Sequence, residues 1–163
     1  RPAFGFTGGG NVSAQFGFHR GFDLYWSNGR DQSDPAAADH LFARAISHLS
    51  DHPFSRAFYF LQTYHVHAPY QPAANLFLQT PQSQAIGKID FQADLGGIRG
   101  IFTPRPREFV ETAVSLYDSE IVAFDSAFGA FLAALKARRL YDRATIVLLS
   151  DHGEEFRGVL YLV

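Results

Sequence analysis

Two nearly continuous apolar runs constrain the fold of this chain more than any other feature of its sequence. One occupies residues 57–62 and the other residues 145–149. Short runs rich in aromatic or β-branched residues are typical of strands buried on both faces, as in a parallel sheet covered by helices. We therefore predict that both runs are buried strands, and that residues 2–6 add a strand that ends in a glycine turn.

Helical periodicity fills the intervals between these strands. A first helix is predicted to begin at Asp34-Pro35, because Asp34 can cap a helix and Pro35 fits its first turn. A longer helix is predicted over residues 106–138. The aromatic stretch 16–26 has no clean period and is expected to be an ordered loop packed by its own rings. The alternation of strands and helices predicts an α/β fold with a mainly parallel sheet.

Composition narrows the classes of function. The 163 residues, 47% hydrophobic and 18% charged, suit one globular domain or a piece of a larger one. A net charge of -2 with scattered Lys and Arg argues against a nucleic-acid groove or a polybasic membrane anchor. There is no bilayer-length apolar run, no signal-peptide layout and no cysteine. Methionine is absent as well, so we expect a processed or excised piece of a longer product.

Three of the predicted strands end in unusual loops, at residues 7–11, 65–72 and 151–155. In open α/β sheets, ligands bind beyond the carboxyl ends of the strands. If the strands are parallel, all three loops open on the same edge. The sequence therefore predicts a binding site where these loops converge.

Asp151 and His152 leave a predicted strand side by side and are followed by Gly153. A carboxylate oxygen and an imidazole nitrogen there could turn onto one cation, such as Ca²⁺, Mg²⁺, Mn²⁺ or Zn²⁺. Two ligands are too few for a tight site, so others would have to come from elsewhere. The alternative is that Asp151 caps the turn that follows it.

His67 lies on a loop that Pro69 and Pro72 stiffen. The ordinary pKa range of a histidine suits proton donation to a leaving group near neutral pH. The alternative is a surface histidine without a chemical role. Spacing alone leaves both interpretations open.

Several of these segments together resemble one known family. Three motifs carry the resemblance: His67-Ala68-Pro69-Tyr70, Tyr117-Asp118-Ser119-Glu120-Ile121 and Ser150-Asp151-His152-Gly153-Glu154. Their content and their order are similar to those of bacterial sulfatases, which belong to the alkaline phosphatase superfamily. Residues 6–9 and 16–23 are similar to the middle region of the same family. The likeness spans nearly the whole chain.

The resemblance implies an α/β/α sandwich of the alkaline phosphatase type and hydrolysis of sulfate esters, either small molecules or glycans. It implies that Asp151 and His152 bind a divalent metal, usually Ca²⁺ in sulfatases, and that His67 lies beside the leaving-group oxygen. In the family the nucleophile is a formylglycine made from Cys or Ser in a C/S-x-P-x-R motif.

That motif does not occur in these residues, and the upstream pair of metal-binding aspartates is missing too. The resemblance therefore predicts that residues 1–163 are an incomplete, middle portion of the catalytic domain, inactive alone. The loop that usually follows Glu155 is also shortened before Leu160. Two alternatives stay open: a phosphoester or phosphonate hydrolase or transferase of the same superfamily, and a non-catalytic remnant domain.

Overall fold

The computed structural model describes residues 1–28, 37–53, 56–74, 76–77, 107–154 and 156. Within these ranges the chain forms three strands and two long helices: β1 (Ala3–Thr7), β2 (Leu24–Ser27), α1 (Ala37–Asp51), β3 (Phe58–Gln62) and α2 (Arg107–Ala137). Short 3-10 helices occupy Gly10–Val12, Ala14–Phe16 and Tyr141–Arg143. Neither long helix combines the length and apolar character that crossing a membrane requires in this part of the chain.

The sheet is parallel, with β1 between β2 and β3. Phe4 lies opposite Leu24 on one side and Tyr59 on the other, and Phe6 lies opposite Trp26 and Leu61. The predicted α/β class with a parallel sheet is therefore confirmed. A parallel sheet with a helix packed on it agrees with part of the α/β/α sandwich that the resemblance implies.

Three predicted elements appear close to their expected bounds. The strand at residues 2–6 is β1, the run at 57–62 contains β3, and the helix predicted over 106–138 is α2. The helix start predicted at Asp34-Pro35 lies outside the described residues, and α1 is described from Ala37.

The aromatic stretch 16–26 is only partly the loop that we predicted. Its last residues belong to β2, which pairs in register with β1 from Leu24 to Ser27. A strand can form without alternating polarity when a neighbouring strand accepts its hydrogen bonds, because packing and pairing outweigh local preference. The ring packing that we expected is present, since Phe22 lies 5.2 Å from Tyr25 between ring centroids.

The described chain divides into two compact units. The first comprises Arg1–His67 and Phe124–Arg143, and the second comprises Ala68–Ala123 and Ala144–Val163. In the first unit α1 packs on the sheet, where the ring of His48 lies 4.4 Å from that of Phe4. The C-terminal part of α2 packs on α1, where Phe131 stacks on Phe42 with centroids 4.9 Å apart. Phe6 is fully buried in this core, and such burial contributes about 1.5–3 kcal/mol for a side chain of this size.

The second unit has a smaller core of its own, centred on Tyr70. Tyr70 and Leu116 are almost fully buried there, together with Ala68 and Ala113. The rings of Phe109, Tyr117 and Phe156 pack around them. The N-terminal part of α2 thus supports the loop that follows β3 in the sequence.

The prediction of a buried strand at residues 145–149 is wrong. Residues 144–150 form no strand, and Val147 is 70% exposed and Leu149 84% exposed. An apolar run becomes a strand only where a neighbour supplies hydrogen-bonding partners, and no described strand pairs with this segment. The prediction that β3 is buried on both faces is also wrong, because Phe58 is 56% exposed and the rest of β3 is half-buried. In the described sheet β3 is an edge strand, so one of its hydrogen-bonding edges has no described partner strand.

Candidate functional site

In the first unit, the loops that follow β1 and β3 meet at the carboxyl edge of the sheet. The backbone N–H of Gly8 donates to the carbonyl oxygen of Gln62 at 2.8 Å. The N–H of Asn11 donates to the hydroxyl of Tyr64 at 3.2 Å. These contacts join residues 7–11 to Gln62 and Tyr64, which precede the predicted loop at 65–72, so the convergence of the loops at 7–11 and 65–72 stays a prediction. The third, at residues 151–155, follows no strand in the structure.

The glycine run after β1 serves to build a tight turn. Gly9 has a φ of 84°, and a Cβ at this position would lie 2.6 Å from the carbonyl oxygen of Asn28. A Cβ on Gly8 would lie 3.0 Å from the ring of Tyr64. Side chains are excluded at both positions by close packing, which accounts for the glycines without a phosphate ligand.

The two histidines after β3 have different surroundings. His67 is exposed, its backbone N–H donates to the carbonyl oxygen of Tyr64 at 2.9 Å, and its ring meets that of Tyr64 edge-on at 5.5 Å. His65 is buried at 4% exposure, and its ring lies 6.4 Å from Phe124. Of the two, His67 is the one that a ligand in solution can reach.

The loop that carries Tyr70 is held on α2 by two adjacent polar side chains. The backbone N–H of Gln71 donates to Oε1 of Glu120 at 2.8 Å, and the N–H of Leu76 donates to the hydroxyl of Ser119 at 2.9 Å. Burial raises the pKa of the Glu120 carboxyl, while the hydrogen bond from Gln71 opposes that shift. The sequence showed Ser119 and Glu120 only as part of a family motif, and their role as loop anchors was missed.

Asp151 and His152 lie side by side, and both side chains are exposed to solvent. Oδ2 of Asp151 lies 3.9 Å from Nε2 of His152, and their side chains are 93% and 64% exposed. The His152 Nδ1–H donates to the carbonyl oxygen of Gly153 at 2.7 Å, and this bond, with the charge of Asp151, raises the pKa of His152. Since a carbonyl can only accept, the proton of the neutral ring lies on Nδ1, and Nε2 is the ring atom left to accept.

The alternative role of Asp151 as a cap is not supported. Residues 152–154 form neither a helix nor a turn that it could cap. Its carboxylate lies 3.9 Å from the His152 ring. Among the described residues no group of three or more His, Asp or Glu side chains could hold a metal ion, so metal binding by Asp151 and His152 stays a prediction.

Glu154, two residues beyond His152, joins this segment to the core of the second unit. The buried hydroxyl of Tyr70 donates to Oε2 of Glu154 at 2.5 Å. Burial raises the pKa of Tyr70 far above its usual range, and the bond to Glu154 adds to that shift, so the hydroxyl stays protonated as a donor. No local pattern in the sequence points to this contact, because the two residues are 84 positions apart.

The predicted site residues are thus distributed over both units. Asp151 and His152 lie together in the second unit, with Glu154 beside them, whereas His67 belongs to the first. The side chains of His67, Asp151 and His152 are all exposed. That His67 and the Asp151–His152 pair act on one ion and one ester stays a prediction.

The sequence was also compared with known proteins. Searches of curated proteins and of solved structures each found no match. The model of the sulfatase family matches residues 3–161, which include all three motifs described above. The chain therefore belongs to the sulfatase family, which implies in general terms a hydrolase of sulfate esters or a related activity of the superfamily.

Proposed function

We propose that this chain supplies part of the active site of a sulfatase that hydrolyses a small-molecule or glycan sulfate ester. Asp151 and His152 bind a divalent cation there, and His67 assists the departure of the alcohol. The observation that carries this proposal is the 3.9 Å separation of the two donor atoms, both open to solvent, in a family that acts on sulfate esters.

The donor set fits a divalent cation. Asp151 offers a hard oxygen and His152 an imidazole nitrogen whose tautomer is fixed by the Gly153 carbonyl. Fixing the second ring nitrogen in this way is the usual arrangement of a metal-binding histidine. Family resemblance favours Ca²⁺, whereas a nitrogen ligand also suits Mn²⁺, Mg²⁺ or Zn²⁺. When bound, the cation stabilises negative charge on the sulfate oxygens and on the nucleophile.

His67 is proposed as the general acid. A protonated ring N–H of His67 would donate its proton to the bridging oxygen of the ester as the nucleophile takes up the sulfuryl group and the bond between sulfur and the bridging oxygen breaks. The product then leaves as a neutral alcohol rather than as an alkoxide. The exposure of His67 and its backbone bond to Tyr64 support this role, since the side chain is accessible and its loop is fixed.

The nucleophile is proposed to be a formylglycine outside these residues, because they contain no C/S-x-P-x-R motif. The experiment therefore uses the complete gene product. It should release sulfate from p-nitrophenyl sulfate and from an alkyl sulfate. Asp151→Asn should reduce both rates by at least about 100-fold, whereas His67→Gln should reduce the alkyl sulfate rate by that factor and the p-nitrophenyl sulfate rate far less, because p-nitrophenolate leaves without a proton. Asp142→Asn, an exposed carboxylate of the first unit, is the matched control and should leave both rates unchanged.

Two results would contradict the proposal in different ways. Release of phosphate from p-nitrophenyl phosphate without any release of sulfate would show a phosphoester hydrolase of the same superfamily. Absence of Ca²⁺ and Mn²⁺ binding in a calorimetric titration, together with absence of both activities, would show a non-catalytic domain.

A further inference from the structure

The bond between Tyr70 and Glu154 connects a rigid core to an exposed segment. Tyr70 is fully buried, whereas Asp151 and His152 are exposed. Glu154 is half-buried and lies between these two environments. Its carboxylate accepts a hydrogen bond from the Tyr70 hydroxyl at 2.5 Å.

The donor side of this bond is itself held in place. The residue after Tyr70, Gln71, donates its backbone N–H to the buried carboxylate of Glu120. The Tyr70 ring meets Tyr117 edge-on at 5.6 Å and lies 6.0 Å from Phe156. Tyr70 is therefore fixed at its backbone and along its ring, and its hydroxyl has one direction in which to donate.

The acceptor side needs such an anchor. Residues 144–150 make no strand pairing and are exposed, so the segment before Asp151 gains little support from a sheet. The local bonds found at this point join His152 to Ser150 and to Gly153. The Tyr70–Glu154 bond, in contrast, joins the segment to a distant part of the second unit.

We propose that Tyr70 is a positioning residue for the metal-binding segment: by holding Glu154, it fixes the backbone on which Asp151 and His152 present their donor atoms. This inference rests on the proposed function, because it assigns Tyr70 a purpose toward the same cation. Supporting groups of this kind typically change metal affinity by about 10–100-fold when they are removed.

The variant Tyr70→Phe tests the inference, because it keeps the ring in the core and removes only the hydroxyl. Tyr117→Phe is the matched control from the same aromatic cluster. In Tyr70→Phe, the backbone NMR order parameters of residues 151–154 without metal should fall, and the calorimetric affinity for Mn²⁺ or Ca²⁺ should fall by about 10-fold or more. Tyr117→Phe should change neither quantity.

A second pair of variants tests the role of Glu154, which accepts the hydrogen bond from Tyr70. Glu154→Gln retains a side-chain oxygen that can accept from Tyr70, so it should weaken metal binding less than Glu154→Ala does. Tyr70→Phe should have no further effect in the Glu154→Ala background, since the bond is already absent.

Unchanged order parameters at residues 151–154 in Tyr70→Phe would overturn the inference, and so would lower order parameters with unchanged metal affinity. If Glu154→Gln removed binding as completely as Asp151→Asn, Glu154 would be a ligand and the positioning role would also be wrong. Failure of the unaltered protein to bind either metal would instead overturn the proposed function itself. The order parameters measured without metal separate these two failures.

Discussion

The carboxylate of Glu120 accepts the backbone N–H of Gln71 at 2.8 Å, although its side chain is only 3% exposed. A buried carboxylate is costly to ionise, and here it has a backbone partner that favours the ionised form. Burial is the larger effect, so the pKa of Glu120 is raised from its ordinary value of 4.5. This contact fixes the loop that carries Tyr70, and it makes the stability of the second unit depend on pH.

The sign of that dependence follows from the direction of the shift. Because the folded protein holds the Glu120 proton more tightly than the unfolded chain, its contribution to stability is fully present below pH 4.5. That contribution decreases as the pH rises through the folded-state pKa. Glu120→Gln keeps an oxygen acceptor for Gln71 without a titrating proton, so its stability relative to the unaltered chain should increase as the pH rises.

Urea unfolding of both proteins from about pH 4 to about pH 8 measures this difference. Glu108→Gln, at an exposed position on the same helix, is the control. Its free energy of unfolding should differ from that of the unaltered chain by the same amount at every pH. Glu120→Ala removes the acceptor altogether. It should lower the free energy of unfolding by about 1–3 kcal/mol, because the Gln71 N–H loses its hydrogen-bond acceptor. A pH-independent difference for Glu120→Gln would contradict the prediction.

His48 should make the first unit less stable in mild acid. Its pKa is lowered from 6.5, first by burial and then by the neighbouring charge of His52, while Asp51 opposes the shift. The unfolded chain therefore binds the proton more tightly, and stability should fall as the pH decreases below 6.5 toward the folded-state value. His48→Gln should reduce the slope of the unfolding free energy against pH in this range.

Chemical unfolding from about pH 8 to about pH 5 checks the His48 prediction. The exposed His40 lies on the same helix, and His40→Gln should leave the slope nearly as it is. An equal flattening in both variants would mean that His48 is not the responsible group.

Gly9 should not tolerate a side chain. Its φ of 84° opposes alanine, and so does the carbonyl oxygen of Asn28, which would lie 2.6 Å from the added Cβ. Gly9→Ala is expected to destabilise the protein by about 1–3 kcal/mol. Gly129, in α2, has no atom within 4 Å of a Cβ, and Gly129→Ala should stabilise by about 0.5–1 kcal/mol. Thermal unfolding of the two variants should shift in opposite directions, and equal shifts would contradict the packing argument.

The exposed apolar run at residues 145–149 should make the 163-residue chain self-associate. Val147 and Leu149 are among the most exposed large apolar side chains of the described structure. An unpaired, β-branched, apolar segment is a template for pairing between chains. Leu149→Lys should therefore reduce light scattering and shift sedimentation toward the monomer. Val122→Lys, at a 41% exposed position on α2, is the control and should change association little.

Local patterns in the sequence determined the helix α2 and the strands β1 and β3. The period of the apolar residues in α2 lies within the element itself, as does the apolar character of residues 57–62. Local sequence is enough to predict such elements, because the apolar residues that must be buried lie within the same short segment. His67, Asp151 and His152 were predicted as site residues in the same way, from motifs of a few residues, and their roles stay predictions.

Only the tertiary structure decided which segments pair and which polar groups meet. Leu24–Ser27 became a strand because β1 lies beside it, whereas residues 145–149, with a stronger strand pattern, pair with no described strand. The bond of Tyr70 to Glu154 likewise joins distant residues. Strand hydrogen bonds and buried polar contacts need a partner from elsewhere in the chain, and the position of that partner is set by packing rather than by neighbouring residues.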